Sequence, residues 1–253
     1  MGKLGGTGHL KREAAPDFWP IHRKEFTWAA NPSPGPHPVH QCIPLLVAVR
    51  EMLGLAKTRK EAKKIISQGK ILVDGKVRRD ERFPAGLMDV ISIPEIKKDY
   101  RVLPSEKGLL LHQIGEDEAS FKLCRIENRR TLANGRVQLN LHDGRCVLIN
   151  VQDVKSSTED VYQTLNTLRI SIPGQEILEH LKLEEGMQAL FISGNNMGKY
   201  GTVTSVVEQA GQKRRSSLVA IMDEKEQTFR TILNYVFVVG DKTPRISLVK
   251  PED

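Results

Sequence analysis

A chain of 253 residues with a net charge of +7 and a pI near 9.3 is long enough for two or three compact units, and its basicity points to a polyanionic partner. Three scattered cysteines, Cys42, Cys124 and Cys146, form no CxxC pair, which argues against a disulfide framework or a zinc site and for a reducing compartment. No apolar run approaches ~18 residues and no apolar stretch follows the first cations, so neither a membrane span nor a signal peptide is expected.

The charge is unevenly placed. Met1 to Gly108 carries 20 Lys/Arg against 12 Asp/Glu, a net of +8, whereas Leu109 to Asp253 carries 18 against 19, a net of −1. The principal phosphate contacts are therefore expected in the N-terminal part.

Residues 1–42 read as an extended arm. Six of the 13 prolines lie between Pro16 and Pro38, and Pro32, Pro34, Pro36 and Pro38 alternate, a pattern that favours extended backbone without a core of its own. The arm nevertheless holds Phe18, Trp19, Phe26 and Trp28, with Lys11, Arg12, Arg23 and Lys24 around them. Cations interleaved with rings suit RNA, where Arg neutralises phosphate and rings stack on exposed bases. The same rings would also serve to pack the arm back onto the protein, and the sequence allows both readings. Gly5-Gly6-Thr7-Gly8 has no strand before it and is no dinucleotide loop.

Residues 43–105 read as the first domain. Pro44 fits a first helical position, and Leu45, Leu46, Val49, Met52 and Leu53 make an almost wholly apolar helix ending at Gly54. Thr58 with Glu61 is a capping box that starts a second helix. Ala62, Ile65 and Ile66 form its apolar face, Lys60, Lys63, Lys64 and Ser67 project opposite, and Gly69 ends it. Ile71–Val73 and Lys76–Arg78 then form a hairpin across Asp74-Gly75. Arg59 and Lys60 lie in the first helical turn, where the dipole disfavours positive charge by roughly 0.3–1 kcal/mol each. Cations placed against the helix imply a ligand. The arrangement resembles the alpha-L RNA-binding motif through Thr58-Arg59, Ala62, Ile65-Ile66, Gly69, Val73, Asp74-Gly75 and Val77. That resemblance implies RNA binding by Lys57, Thr58, Arg59, Lys60, Lys63, Lys64, Lys70, Lys76, Arg78 and Arg79.

Residues 106–180 read as a central β domain. Leu109–Ile114, Phe121–Ile126, Val137–Leu141 and a pairing strand after Asp143-Gly144 suggest a small antiparallel barrel or sandwich. Arg125, Arg129, Arg130, Arg136 and Arg145 offer a secondary cationic patch. In residues 181–253, the strand Ala189–Ile192 precedes Ser193-Gly194-Asn195-Asn196-Met197-Gly198-Lys199-Tyr200-Gly201 and then Thr202-Val203. Gly194 to Gly198-Lys199 is one residue too short for a phosphate loop, and Tyr200 replaces the metal-binding Ser/Thr. The stretch resembles a KOW motif in an SH3-like barrel, with Gly198 and Gly201 setting the loop and Lys199 and Tyr200 presented to RNA at its tip. Lys213-Arg214-Arg215 in a later loop is a further candidate phosphate contact. The fold class is α+β and multi-domain.

Nothing in the chain reads as catalytic. GxSxG, HExxH and Walker sequences are absent, and seven histidines show no ligand spacing. Asp74, Asp89 and Asp143 each read as a turn or strand-edge residue, and the Arg-Leu-Asp setting of pseudouridine synthases does not occur. No enzyme, cofactor, metal or small-molecule substrate is expected.

Taken together, the arm, the alpha-L domain, the β region and the KOW stretch resemble small-subunit ribosomal protein four of the archaeal and eukaryotic type. His9-Leu10-Lys11-Arg12, Ala14-Ala15-Pro16, Arg82-Phe83-Pro84-Ala85-Gly86 and Met88-Asp89-Val90-Ile91-Ser92-Ile93 carry the resemblance further, and it spans essentially the whole chain. A C-terminus without a long basic tail after Leu248 resembles the archaeal form. The family implies a cytoplasmic structural constituent of the small subunit that contacts the 5′ region of its rRNA and supports assembly and translation. Its partners would be rRNA and neighbouring ribosomal proteins, with no homo-oligomer. The alternative is a free-standing RNA-binding or transcription/translation factor whose KOW barrel docks a protein.

Overall fold

The computed structural model describes residues 8–133, 136–150, 162–207, 214–223 and 226–249. It divides into two compact units, one of residues up to Val102 with Lys107–Gln113, the other of Leu103–Glu106 with the described residues from Ile114 onward.

Unit one begins with the arm, in which β1 (Leu10–Lys11) pairs antiparallel with β2 (Trp28–Ala29). The strand β3 (Cys42–Pro44) leads into α1 (Leu45–Val47), whose last turn widens to π geometry over Ala48–Met52. Leu53 N–H donates to the Ala48 carbonyl at 2.9 Å, one residue further back than in an α-helix. The apolar helix expected here is thus present but wider at its end, and Pro44 caps it rather than opening it. The basic helix α2 (Arg59–Ser67) buries Ala62 and Ile66 against it.

The strands β4 (Leu72–Val73) and β5 (Lys76–Val77) follow, joined by Asp74 at φ 50° and Gly75 at φ 71°. Two left-handed central residues make the primed turn that matches strand twist. The Asp74 carboxylate, buried, also accepts from Val90 N–H at 3.0 Å. β6 (Pro84–Gly86) pairs back onto β3, and β7 (Val90–Ile93), β8 (Lys98–Ser105) and β9 (Gly108–Ile114) complete a sheet in the order β5-β4-β7-β8-β9. Residues 108–114, read from the sequence as part of the central domain, therefore hydrogen-bond into the first sheet.

The arm is anchored along its length. Trp19 is 3% exposed and its indole N–H donates to the Cys42 carbonyl at 2.8 Å. Ala15 and Ala30 join the same core as Leu45, Val49 and Ile66. Ser33 Oγ donates to Asp80 at 2.6 Å, and Arg82 Nε donates to the Asn31 carbonyl at 2.6 Å. Of the two readings open for the rings, Trp19 takes the packing one.

Unit two opens with α3 (Glu116–Ala119) and a five-stranded antiparallel sheet of β10 (Phe121–Thr131), β11 (Arg136–Leu141), β12 (Cys146–Asn150), β13 (Thr167–Ser171) and β14 (Ile177–Leu181). Its order is β12-β11-β10-β13-β14, over a core of Cys124, Ile126, Leu139, Leu141, Leu168 and Ile170. The second sheet holds β15 (Gln188–Phe191), β16 (Tyr200–Val207), β17 (Leu218–Met222), β18 (Thr228–Ile232) and β19 (Val236–Gly240), in the order β18-β17-β16-β15-β19. Among the described residues each ladder ends at two edge strands.

Candidate nucleic-acid interface

The start of α2 is built by its cap. Glu61 N–H donates to Thr58 Oγ1 at 3.3 Å, and the Glu61 carboxylate accepts from the N–H groups of Lys57 at 2.9 Å and Thr58 at 3.3 Å. Those donations, that from Lys57 first and that from Thr58 next, lower the Glu61 pKa. The reciprocal box starts the helix without help from the cations of its first turn, which the dipole disfavours. Lys57, Lys60, Lys63 and Lys64 are all exposed. Arg59 is 60% exposed at its side chain and holds Glu81 at 2.7 Å, so part of its guanidinium fork is engaged within the protein.

The hairpin adds to this face unevenly. Lys76 and Arg79 are exposed, and Arg79 lies against Gly69 at the far end of α2. Arg78 instead sits over the Phe83 ring at 4.3 Å, half-buried, and Lys70 pairs with Glu95 at 2.9 Å. On the arm, Lys11 and Lys24 are exposed.

Arg12 is a correction. It is 3% exposed, with Nε donating to the Trp28 carbonyl at 3.3 Å, Nη1 donating to the His22 carbonyl at 2.5 Å, and its guanidinium over Phe26. A guanidinium consumed in folding the arm is withdrawn from phosphate. Arg23 is similarly engaged, with the Glu13 and Ala15 carbonyls at 3.0 and 3.2 Å and with Asp17.

In unit two the expected contacts are largely structural. Lys199 is not at a loop tip: it is half-buried with Nζ 4.5 Å from the centre of the Phe229 ring. Tyr200 opens β16, half-buried and paired with Leu190. Arg125 donates to the Asn234 and Val236 carbonyls at 2.8 and 3.0 Å, and Arg145 holds Asp143 at 3.1 Å, so the supposed arginine patch is divided. Arg129, Arg130 and Arg136 remain exposed. Arg215 binds Glu127, while Lys213 lies outside the described residues. Burial opposes the charge of Glu127, but Arg125 and Arg215 outweigh it and lower its pKa.

Cys124, His142 and Asp143 place ligand-type atoms within 4.8 Å of one another. The cluster is already neutralised as a cation site, because the buried Lys122 ammonium stands 3.0 Å from Asp143.

One feature of this face has no signature in the sequence. Trp28, His9 and Arg82 meet Arg59 around a cleft of ≈320 Å³. Trp28 and Trp19 are alike in the sequence of the arm, and only packing separates them.

Comparison with known proteins fits this layout. Residues 44–91 match the S4 domain, residues 4–40 the RS4NT (NUC023) domain and residues 96–177 Ribosomal family S4e. Small ribosomal subunit protein eS4 of Staphylothermus marinus is 50% identical over 249 residues, covering 98% of both chains. The chain belongs to the eS4 family of small ribosomal subunit proteins. Its eS4 relative from Methanocaldococcus jannaschii is 43% identical over 98% of this chain and 100% of its own. The crystal structure of the 30S ribosomal protein S4e from Thermoplasma acidophilum, at 28% identity, aligns with a TM-score of 0.65 over 79% of this chain and 96% of that one. These relatives bear the name of a ribosomal component rather than an enzyme, and several are archaeal.

Proposed function

We propose that this eS4 chain binds small-subunit rRNA through unit one and acts there as a structural, non-catalytic constituent that supports assembly of the subunit. The reading rests on one observation above all: a helix capped by its own Thr58–Glu61 box carries Arg59 and Lys60 in its first turn, where the dipole disfavours them, with Lys63 and Lys64 exposed on the same short helix. Lys57, Lys76 and Arg79 extend that face, and Lys11 and Lys24 extend it along the arm. Binding would proceed by release of counterions as these groups meet phosphates, with the shape of folded RNA selecting the site. The target is the 5′ region of the rRNA, in the cytoplasm, beside other small-subunit proteins. In unit two the exposed Arg129, Arg130 and Arg136 are better placed than Lys199 or Tyr200 to touch RNA.

Sedimentation of a native extract through sucrose at low and high salt, probed for this chain, tests the reading. Co-migration with small subunits at both salts is expected. Migration apart from subunits at both would replace it with that of a free-standing RNA factor.

A further inference from the structure

The cleft beside α2 has a composition that phosphate binding alone does not call for. Trp28 is 52% exposed, although it stands in a paired strand and its counterpart Trp19 is buried. The His9 ring lies 5.2 Å from it, tilted by 44°. In the β1–β2 ladder Lys11 is directly opposite Trp28, so their side chains share one face. Arg59 and Arg82 line the same cleft, and Asn31 adds an amide that both donates and accepts. Its ≈320 Å³ lies at the lower end of the ~300–1,000 Å³ usual for small-ligand sites. That is room for one nucleoside and not for a helix.

We propose that this cleft captures a single unstacked base of the rRNA, stacked on the Trp28 indole, with its flanking phosphates held by Arg59 and Lys11. The inference rests on the rRNA-binding reading and sharpens it. An indole face accepts any base, so the site reads an extruded nucleotide rather than a sequence, while Asn31 faces the base edge. The Glu61 amide at the α2 N-terminus takes no part, since Thr58 Oγ1 already accepts from it. Arg59 serves two partners at once: one nitrogen steadies Glu81, and its exposed remainder faces the cleft.

The test uses the full chain and a transcript of the small-subunit rRNA 5′ domain, with affinity and tryptophan emission measured together. Trp28→Ala is expected to weaken binding about 5- to 150-fold, the range that corresponds to loss of one base–aromatic stack. Trp28→Phe, which keeps a ring, is expected to retain most of the affinity. The salt dependence of Trp28→Ala should match that of the wild type, because no charge is removed. RNA should quench wild-type emission and leave that of Trp28→Phe, whose remaining indole is the buried Trp19, unchanged. Wild-type chain that binds with no quenching, or Trp28→Ala that binds as tightly as wild type, overturns this inference alone. Wild-type chain that fails to bind the transcript overturns the rRNA reading and this site with it. Phe at position 28 also guards against misfolding, since it keeps an aromatic side chain in β2.

Discussion

The imidazole Nε2 of His37 lies 3.1 Å from the Asp89 carboxylate, and both side chains are shut away from water. Asp89 also accepts from Gly86 N–H at 2.8 Å, and the His37 ring rests so close to Gly86 that a Cβ there would come within 2.3 Å of it. One residue of the arm is thereby keyed into the S4-like body. His37→Ala leaves a buried carboxylate short of a partner and is expected to cost about 1–3 kcal/mol. A urea midpoint identical to that of the wild type would show that the arm is not held there.

The cap of α2 offers a milder perturbation. Thr58→Ala removes the hydroxyl that accepts from Glu61 N–H and is expected to cost about 1 kcal/mol. Rescue by Thr58→Ser, which restores the acceptor, separates the cap from packing. Thermal melts of the three proteins decide it, and Thr58→Ala melting with the wild type would exclude a capping role.

The residues that were legible before any coordinates were those whose role is local. Thr58 with Glu61 announces a helix start, Asp74-Gly75 announces a turn, and both sit where their spacing requires. Long-range pairings left no such trace. Nothing near Arg12 in the sequence says that it will be buried on the His22 and Trp28 carbonyls, and nothing near Asp89 names His37, 52 residues away. Charge counting therefore overstates the RNA face: it cannot separate Lys60, in water, from Arg125, spent on Asn234 and Val236. Nor did periodicity show that the last turn of α1 would widen.

Gly201 differs from Gly198 in why it is glycine. Gly198 has φ 89°, a backbone state that side chains disfavour, as the KOW resemblance suggested. Gly201 is needed because a Cβ would fall 2.2 Å from the Met222 carbonyl across the β16–β17 ladder. Gly201→Ala must push that backbone aside and is expected to destabilise unit two by about 1–3 kcal/mol. Unchanged stability in a denaturant titration would mean that the two strands separate there without cost.

Asp143 contributes to the acid response of unit two. Burial alone would raise its pKa, but Lys122, then His142 and Arg145, pull it from 3.8 to about 2. A folded pKa below the unfolded one gives stability that is complete above about pH 4 and is lost as pH falls toward 2. The contribution is roughly 2 kcal/mol. Asp143→Asn is less stable at neutral pH because Lys122 loses its counter-charge, yet its stability should decline less steeply between pH 4 and 2. Parallel acid limbs for the two proteins would contradict this account.

The α2 face gives the sharpest measurement on the RNA side. Lys60, Lys63 and Lys64 are exposed and make no contact that the fold needs, unlike Arg59, which supports the buried Glu81. Replacing the three lysines with Gln should therefore leave the melting temperature near that of the wild type, so that any change in binding reports RNA contact. Each lysine that meets a phosphate contributes about one unit to the slope of log affinity against log salt, so the triple variant should flatten that slope by up to about 3. The loss should be similar for unrelated RNA sequences, because phosphate contacts carry no base information. A folded triple variant with the wild-type slope on the rRNA transcript would place the binding face elsewhere on the chain.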